Sequence, residues 1–225
     1  MTAVILQARL DSSRLPEKAL LSLDGKPVIY RVMEALNHVD ADLRIIACPE
    51  DSYQSFKPLA EKANFIIFTG SKYDLLERFC SVIRKFSPDR IIRATGDNPF
   101  VFADAAISIN NKAIALNADY AGYTNLPYGA GVESVAACSL LKAYNESDNL
   151  YDREHVCPYL YKNPGLFNVH QIPAPPQWHY PDIRLTIDTR EDYERAVEIY
   201  CMLNDEQFRY HGSAIIRTYK KIYSS

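Results

Sequence analysis

Val4-Ile5-Leu6-Gln7-Ala8-Arg9-Leu10-Asp11-Ser12-Ser13-Arg14-Leu15-Pro16-Glu17-Lys18-Ala19-Leu20 is the stretch that decides how this chain is read. A short apolar run, right for a buried strand, gives way at Gln7 to a polar stretch carrying Arg9, Arg14 and Lys18. No charge falls between Thr2 and Leu6, so the segment reads as a first strand feeding a loop. Cations and serines just past the C-terminal end of a strand describe a polyphosphate site at the edge of an open α/β sheet. Arginine offers phosphate a two-pronged fork and lysine a compact charge. A solvated surface loop is the plainer alternative. Pro16 weighs against it, because a stiffened loop loses less entropy when it orders around a ligand. The loop holds no glycine, so neither G-x-x-x-x-G-K-[ST] nor G-x-G-x-x-G fits. Side chains, more than bare backbone amides, must meet the phosphates.

Around this segment the chain alternates strand and helix. Pro27 opens a predicted helix with Val28, Val32, Leu36 and Val39 on one face. Leu43 to Cys48 is a strand halted by Pro49, followed by a helix through about Ala63. Phe65 to Phe68 is a third strand and Tyr73 to Phe86 a third helix; Arg90 to Ala94 is a fourth strand, with a helix from Ala103 to Leu116 behind it. This order predicts a largely parallel sheet with helices on both faces. The second half is less regular. Strands are expected at Val132 to Ala136 and Phe167 to Ile172, and helices near Leu140 to Asn145 and Glu154 to Lys162. Ile183 to Ile187 reads as a late strand, before an amphipathic helix with Tyr193, Ala196, Val197 and Tyr200 on one face. Pro173 to Pro181 is a loop too short to link domains, and there is no internal repeat. The expectation is one domain over residues 1–225.

Composition narrows the class. At 225 residues, 48% hydrophobic and 24% charged, the chain can bury a sizeable core. A net charge of -3 argues against a general nucleic-acid binder, which needs a cationic surface. Cys48, Cys80, Cys138, Cys157 and Cys201 are scattered and without C-x-x-C spacing. They read as reduced thiols in a cytoplasmic protein. No signal peptide or membrane-length apolar run is evident, so no membrane partner is expected.

Two aspartates take meaning from position. Asp97, in Thr95-Gly96-Asp97-Asn98-Pro99, lies just past the fourth strand, and Asp188, in Leu185-Thr186-Ile187-Asp188-Thr189, just past the late one. In a doubly wound sheet both fall on the edge that carries the phosphate loop. Two such oxygen ligands facing a triphosphate suit Mg²⁺, which takes one or two carboxylates plus phosphate oxygens and water. Asp97 reads alternatively as a turn residue before Asn-Pro. Asp188 reads alternatively as a carboxylate flanking a helix cap at Thr189 and Asp192.

The opening stretch resembles the N-terminal signature of cytidylyltransferases that make CMP-activated sugars, among them the CMP-Kdo and CMP-sialic acid synthetases. It is most similar to the SpsF-type branch, with its Q-A-R-x-x-S-x-R-L-P-x-K-x-L pattern. One departure is Glu17, where the family has glycine; its carboxylate must point away from the triphosphate. The family's two metal-binding acids occur in G-D-x-P and T-x-D-T-x-x-D contexts, and both contexts stand at Asp97 and Asp188. Gly70-Ser71-Lys72-Tyr73-Asp74-Leu75-Leu76-Glu77-Arg78-Phe79 resembles the segment that helps hold base and ribose, although Asp74 and Arg78 alone would pass for a helix-surface ion pair. Arg153-Glu154-His155-Val156 resembles a segment near the acceptor site, with a structural hydrogen-bonding role for His155 as the alternative. Tyr123-Thr124-Asn125 and Gly131-Val132-Glu133 match the next block, with a shortened link between them.

The resemblance implies a three-layer, Rossmann-like nucleotide-diphospho-sugar transferase (GT-A) fold with a mixed, largely parallel sheet. It implies a nucleotide site at Leu6, Gln7, Ala8, Arg9, Ser13, Arg14, Lys18, Asp74, Arg78 and Asp97. It places the acceptor at Tyr123, Asn125, Glu133, Arg153 and His155, and Mg²⁺ on Asp97 and Asp188. The reading is transfer of CMP from CTP to a small sugar or sugar acid with release of pyrophosphate, for a surface polysaccharide or glycoprotein glycan. Lys18, Arg14 and Asp97 are its catalytic residues. Family members are often dimers, and the aromatic-rich second half is the candidate interface. A glycosyltransferase of similar fold would want a D-x-D motif, but Asp40-Ala41-Asp42 precedes a strand and reads as a solvated turn. Uridylyl- and guanylyltransferases begin with a G-x-G-x-R loop absent here. A non-catalytic nucleotide-binding module needs no metal pair.

Overall fold

A computed structural model describes residues 1–203 and 209–223. The expected domain of residues 1–225 also takes in 204–208 and 224–225, which lie outside the described residues. β1 (Thr2–Gln7) forms because a run of small and branched apolar residues is buried on both faces, as a central parallel strand requires. It is flanked by β4 (Leu43–Cys48) and β6 (Arg90–Thr95), both parallel to it. β5 (Ile66–Thr69) pairs parallel with β4, β8 (Glu133–Ala136) antiparallel with β6, β7 (Tyr120–Thr124) antiparallel with β8, and β9 (Val169–Pro173) parallel with β7. The sheet order is therefore β5-β4-β1-β6-β8-β7-β9, with β8 alone running against the rest. The chain leaves β1 toward β4 and later returns to its other side at β6. That makes the crevice beyond the C-terminal ends of β1 and β6 the topological switch point, where such sheets bind ligands.

Alternation along the strands sends side chains to two cores. Val4, Leu6, Ile46, Ile92 and Ala94 pack under α1 (Val28–Leu36), α2 (Tyr53–Lys62) and α4 (Ala103–Ala115). Ala3, Ile5, Ile45 and Ile91 pack under α3 (Leu75–Phe86), α5 (Ala137–Glu146) and α7 (Pro158–Lys162). A third apolar cluster joins Phe100, Phe102, Trp178, Ile183, Leu185 and Ile187 to α8 (Arg190–Met202) and α9 (Gly212–Tyr223). Before α1, β2 (Ser22–Leu23) and β3 (Lys26–Pro27) form a hairpin whose Asp24-Gly25 turn has positive φ at both residues, the geometry that suits strand twist.

Four expectations need correction. Ile183 to Ile187 is extended but not a sheet strand: its pairing is one isolated bridge from Arg184 to Tyr128. Its apolar side chains are spent on the third cluster instead. The helix expected over Glu154 to Lys162 is α6 (Leu150–His155) and α7, parted at Val156 with φ 73°. α1 ends at Leu36, so Val28, Val32 and Leu36 form its buried face as expected while Val39, also buried, lies beyond the helix. α3 starts at Leu75, because Asp74 caps it by accepting from Glu77 N at 2.8 Å. β7 was not foreseen, since Gly122 and Ala121 carry little strand propensity. Asp42 of the Asp40-Ala41-Asp42 turn accepts from Thr2 N at 2.7 Å, far from the crevice.

Candidate active site

A cleft of about 700 Å³ opens at the switch point. Arg9, Arg14, Lys18, Lys72, Arg78 and Arg93 line it against the acids Asp97, Asp188 and Glu154, so its field favours a polyanion. Gln7, Ala8, Ser13 and His155 complete the expected residues that reach it. Gly96 lets β6 turn into the site: a Cβ there would lie 2.9 Å from Ile29 Cδ1 and 3.1 Å from Gln7 O.

The centre of the cleft is one ammonium group. Lys18 Nζ lies 2.8 Å from Asp97 Oδ2, 2.8 Å from Asp188 Oδ1 and 2.7 Å from Ile187 O. The extended segment 183–188 is stitched into place by Leu185 N to Tyr128 O at 2.8 Å and Ile187 N to Asp97 O at 2.9 Å. Asp188 thus reaches the same point as Asp97 without a sheet strand to carry it. Arg14, largely exposed, lies 3.2 Å from Asp188 Oδ1, and Arg184 donates to Asp188 Oδ2 at 2.8 Å. Burial alone would raise the Asp188 carboxyl, but the hydrogen bond and charge of Lys18, with Arg14 and Arg184, hold it below the ordinary carboxylate range.

The helix cap weighed for Asp188 is real and belongs to its neighbours. Thr189 and Asp192 form a capping box at α8, and Asp192 also accepts from Asp188 N at 3.0 Å and pairs with Arg184 at 2.9 Å. Asp188 points instead at Lys18. Arg184 and Asp192, absent from the sequence-based site, are what aim it; an arginine within the apolar run 183–187 was the available signal.

Glu17 explains the departure at the loop. It sits in the left-handed region, φ 51° and ψ 26°, where glycine has no steric penalty. Its side chain is exposed and does not line the cleft, so the carboxylate does point away.

Six expected site residues are elsewhere. Leu6 is fully buried in the core. Asp74 caps α3 and pairs with Arg153 at 3.1 Å, joining α3 to α6. Arg153 also donates to Ser147 O and Tyr144 O, which commits it to the fold. Tyr123 bonds Ser108 at 2.9 Å and packs edge-on against Trp178; Asn125 takes a left-handed turn with φ 62°. Glu133 pairs with Arg93 and accepts from Tyr120 OH at 2.9 Å. Arg78 lines the cleft yet is spent bracing the loop before α3, donating to Ser71 O at 2.7 Å and Lys72 O at 3.3 Å, and it makes no surface pair with Asp74. His155 is exposed at the rim, its ring 4.3 Å from that of Tyr151.

Arg93 and Tyr128 line the cleft and were missed. Arg93 is a charge in the middle of a central strand, itself a signal, since parallel strands are ordinarily apolar. Burial would lower its pKa, but Glu133 outweighs burial and keeps it charged.

The donor set suits a hard dication that takes only one or two of its ligands from protein. Asp97 and Asp188 already converge on a cation, and Asp97 Oδ1 makes no hydrogen bond among the described residues. No group of three or more His, Cys, Asp or Glu side chains poised for a metal occurs among the described residues. Phosphate oxygens and water would have to complete the shell, as they ordinarily do for Mg²⁺. No helix among the described residues is long and apolar enough to cross a membrane.

The comparisons with known proteins agree with this geometry. The family described as cytidylyltransferase matches residues 3–222. The spore coat polysaccharide biosynthesis protein SpsF of Bacillus subtilis is 35% identical over 204 residues, covering 87% of this chain and 85% of that one. A cytidylyltransferase structure from Leptospira borgpetersenii superposes with a TM-score of 0.89 at 23% identity, covering 99% of this chain and 95% of that one. A CMP:2-keto-3-deoxy-manno-octonic acid synthetase solved with CTP shares the fold, with a TM-score of 0.69 at 14% identity over 89% of this chain and 98% of that one. The family match along nearly the whole chain, together with the SpsF relative, places the protein in the cytidylyltransferase family, as a CTP-dependent nucleotidyltransferase.

Proposed function

We propose that the cleft transfers CMP from CTP to a hydroxyl of a small sugar or sugar acid, releasing pyrophosphate, and that the product feeds a surface polysaccharide or glycoprotein glycan. The observation that carries the reading is the convergence of Lys18, Asp97 and Asp188 on one point at the switch-point edge. The SpsF relative supports the polysaccharide role by its name.

In this reading the triphosphate lies along the loop of Arg9, Ser13, Arg14 and Lys18. Lys18 leaves the carboxylates for the phosphates when the nucleotide arrives, because a polyanion outcompetes two partly hydrated acids for it. There it offsets charge growing on the α-phosphoryl and the leaving β-oxygen, while exposed Arg14 swings onto the outer phosphates. Asp97 and Asp188, released by Lys18, would hold Mg²⁺. When bound, that ion supplies Lewis acidity toward phosphoryl oxygens and the attacking hydroxyl. Arg184, through Asp188, keeps that carboxylate aimed and ionised. The acceptor is assigned to the part of the lining that holds Tyr128, Gly129 and His155. Pyrophosphate release from CTP across a panel of hydroxylated and acidic sugars tests this; an acceptor that triggers release supports it, and silence across the panel removes the sugar-activating role.

A further inference from the structure

Gln7 ends β1, and Arg93, in register with Ile5, lies two residues before the end of the neighbouring β6; both line the cleft at the switch point. Arg93 Nε is 2.9 Å from the Gln7 side-chain oxygen. Arginine has no acceptor, so the amide group it faces must be the carbonyl. The Gln7 NH₂ is thereby turned away from Arg93, and it makes no hydrogen bond to the described protein. Arg93 cannot swing aside, because Glu133 holds it and Tyr120 holds Glu133 at 2.9 Å. Burial pushes the Tyr120 phenol up, so it remains a donor to Glu133. Gln7 therefore presents its amide to the cleft as a donor. Ala8, Leu75 and Tyr73 line the same cleft, and Tyr73 is 88% exposed with no aromatic or hydrogen-bonding partner among the described residues. The phosphate loop begins at the next residues along the chain.

We propose that Gln7 reads the nucleobase and that Arg93 is a positioning residue that locks the Gln7 amide with its NH₂ outward, so that the site takes cytosine and rejects uracil. The proposal rests on the nucleotide reading above and goes beyond it. Cytosine presents an acceptor at N3, where uracil presents an N3–H donor. An amide free to turn over would serve both bases equally. One pinned by Arg93 satisfies cytosine and sets two donors against each other for uracil, and an unmatched polar pair in a closed site is costly.

The test is calorimetric titration of CTP and of UTP, each with Mg²⁺, into wild-type protein, Gln7→Met and the double variant Arg93→Met/Glu133→Gln. The double variant keeps Gln7, frees its amide and leaves no buried charge unpaired. Loss of one hydrogen bond's discrimination predicts that the CTP:UTP affinity ratio falls about tenfold in both variants. A merely structural Arg93 would weaken both nucleotides equally and leave the ratio unchanged. An unchanged ratio in Gln7→Met overturns the proposal, and so decides the matter even if the double variant fails to fold. A fall in Gln7→Met with none in a folded double variant overturns the role given to Arg93. Wild-type protein that binds neither nucleotide overturns the nucleotide reading itself, a distinct result.

Discussion

Replacing Lys18 with alanine removes the one cation shared by Asp97 and Asp188, and its consequences separate catalysis from stability. Its ammonium donates three hydrogen bonds, two of them to carboxylates. Bonds to charged groups are worth about 1.5–3 kcal/mol each, but Asp97 and Asp188 keep 30% and 14% side-chain exposure and will rehydrate in part. Arg14 and Arg184 also stay beside Asp188. The net loss should be about 1–3 kcal/mol, which for a domain of this size is roughly 3–10 °C in Tm. The pH dependence carries the sign. Lys18 helps hold the Asp188 carboxyl below its usual range, so the associated stability is present in full above the unfolded carboxylate value of about 3.9 and is lost as pH falls through the lower folded value. Wild type and Lys18→Ala should therefore differ most in Tm near neutral pH and converge below about pH 3. Turnover should fall by on the order of 10²–10³, as for loss of one transition-state donor, with CTP affinity by calorimetry changed less. Thermal melts from pH 2.5 to 8 and steady-state kinetics measure both. Wild-type turnover in Lys18→Ala would remove the loop from catalysis, and a Tm difference that grows toward acid pH would refute the electrostatic account.

Other outcomes follow from the same geometry. Asp97→Asn should abolish most Mg²⁺-dependent turnover with little change in Tm, since its backbone carbonyl, not its side chain, holds segment 183–188; full activity in both Asp97→Asn and Asp188→Asn would dismiss the metal pair. Glu17→Gly should leave activity intact and raise stability by up to about 1 kcal/mol, because relief of the left-handed backbone exceeds the glycine entropy cost; a lower Tm would show that the Glu17 side chain matters. Asp192→Ala should cost about 2–4 kcal/mol by removing a capping box and the partner of Arg184 and Arg195, and should lower turnover through a misaimed Asp188; unchanged kinetics would sever Asp192 from the site. His155→Ala should raise the acceptor KM and leave CTP affinity unchanged; the reverse pattern would move His155 to the nucleotide side.

Local signals in the sequence were sufficient where the decisive physics is local. β4 ran from Leu43 to Cys48 as expected, because a branched apolar run met a proline. Lys18 and Asp97 could be grouped because strand ends in a parallel sheet share an edge; Asp188 joins them through Ile187 N bonded to Asp97 O, not through a strand of its own. What failed depended on distant partners. Ile183 to Ile187 has the composition of a strand, yet α8 and α9 claim its apolar side chains and the sheet closes without it. Glu133 and Arg153 were assigned to the acceptor by resemblance, and the residues beside them do not reveal that both are already paired. Their partners, Arg93 and Asp74, lie 40 and 79 residues away. The division of α6 from α7 rests on a positive φ at Val156, which a β-branched residue gives no warning of.

If this cleft passes the cytidylyl group of CTP to an acceptor hydroxyl, phosphorus NMR of the complete reaction will display both products. With Mg²⁺, CTP and a competent sugar acceptor, the three triphosphate resonances should be replaced by one CMP phosphodiester resonance and that of pyrophosphate, and Asp97→Asn should leave the CTP spectrum unchanged. Formation of CDP, or of free CMP and pyrophosphate at the same rate without acceptor, would contradict the account.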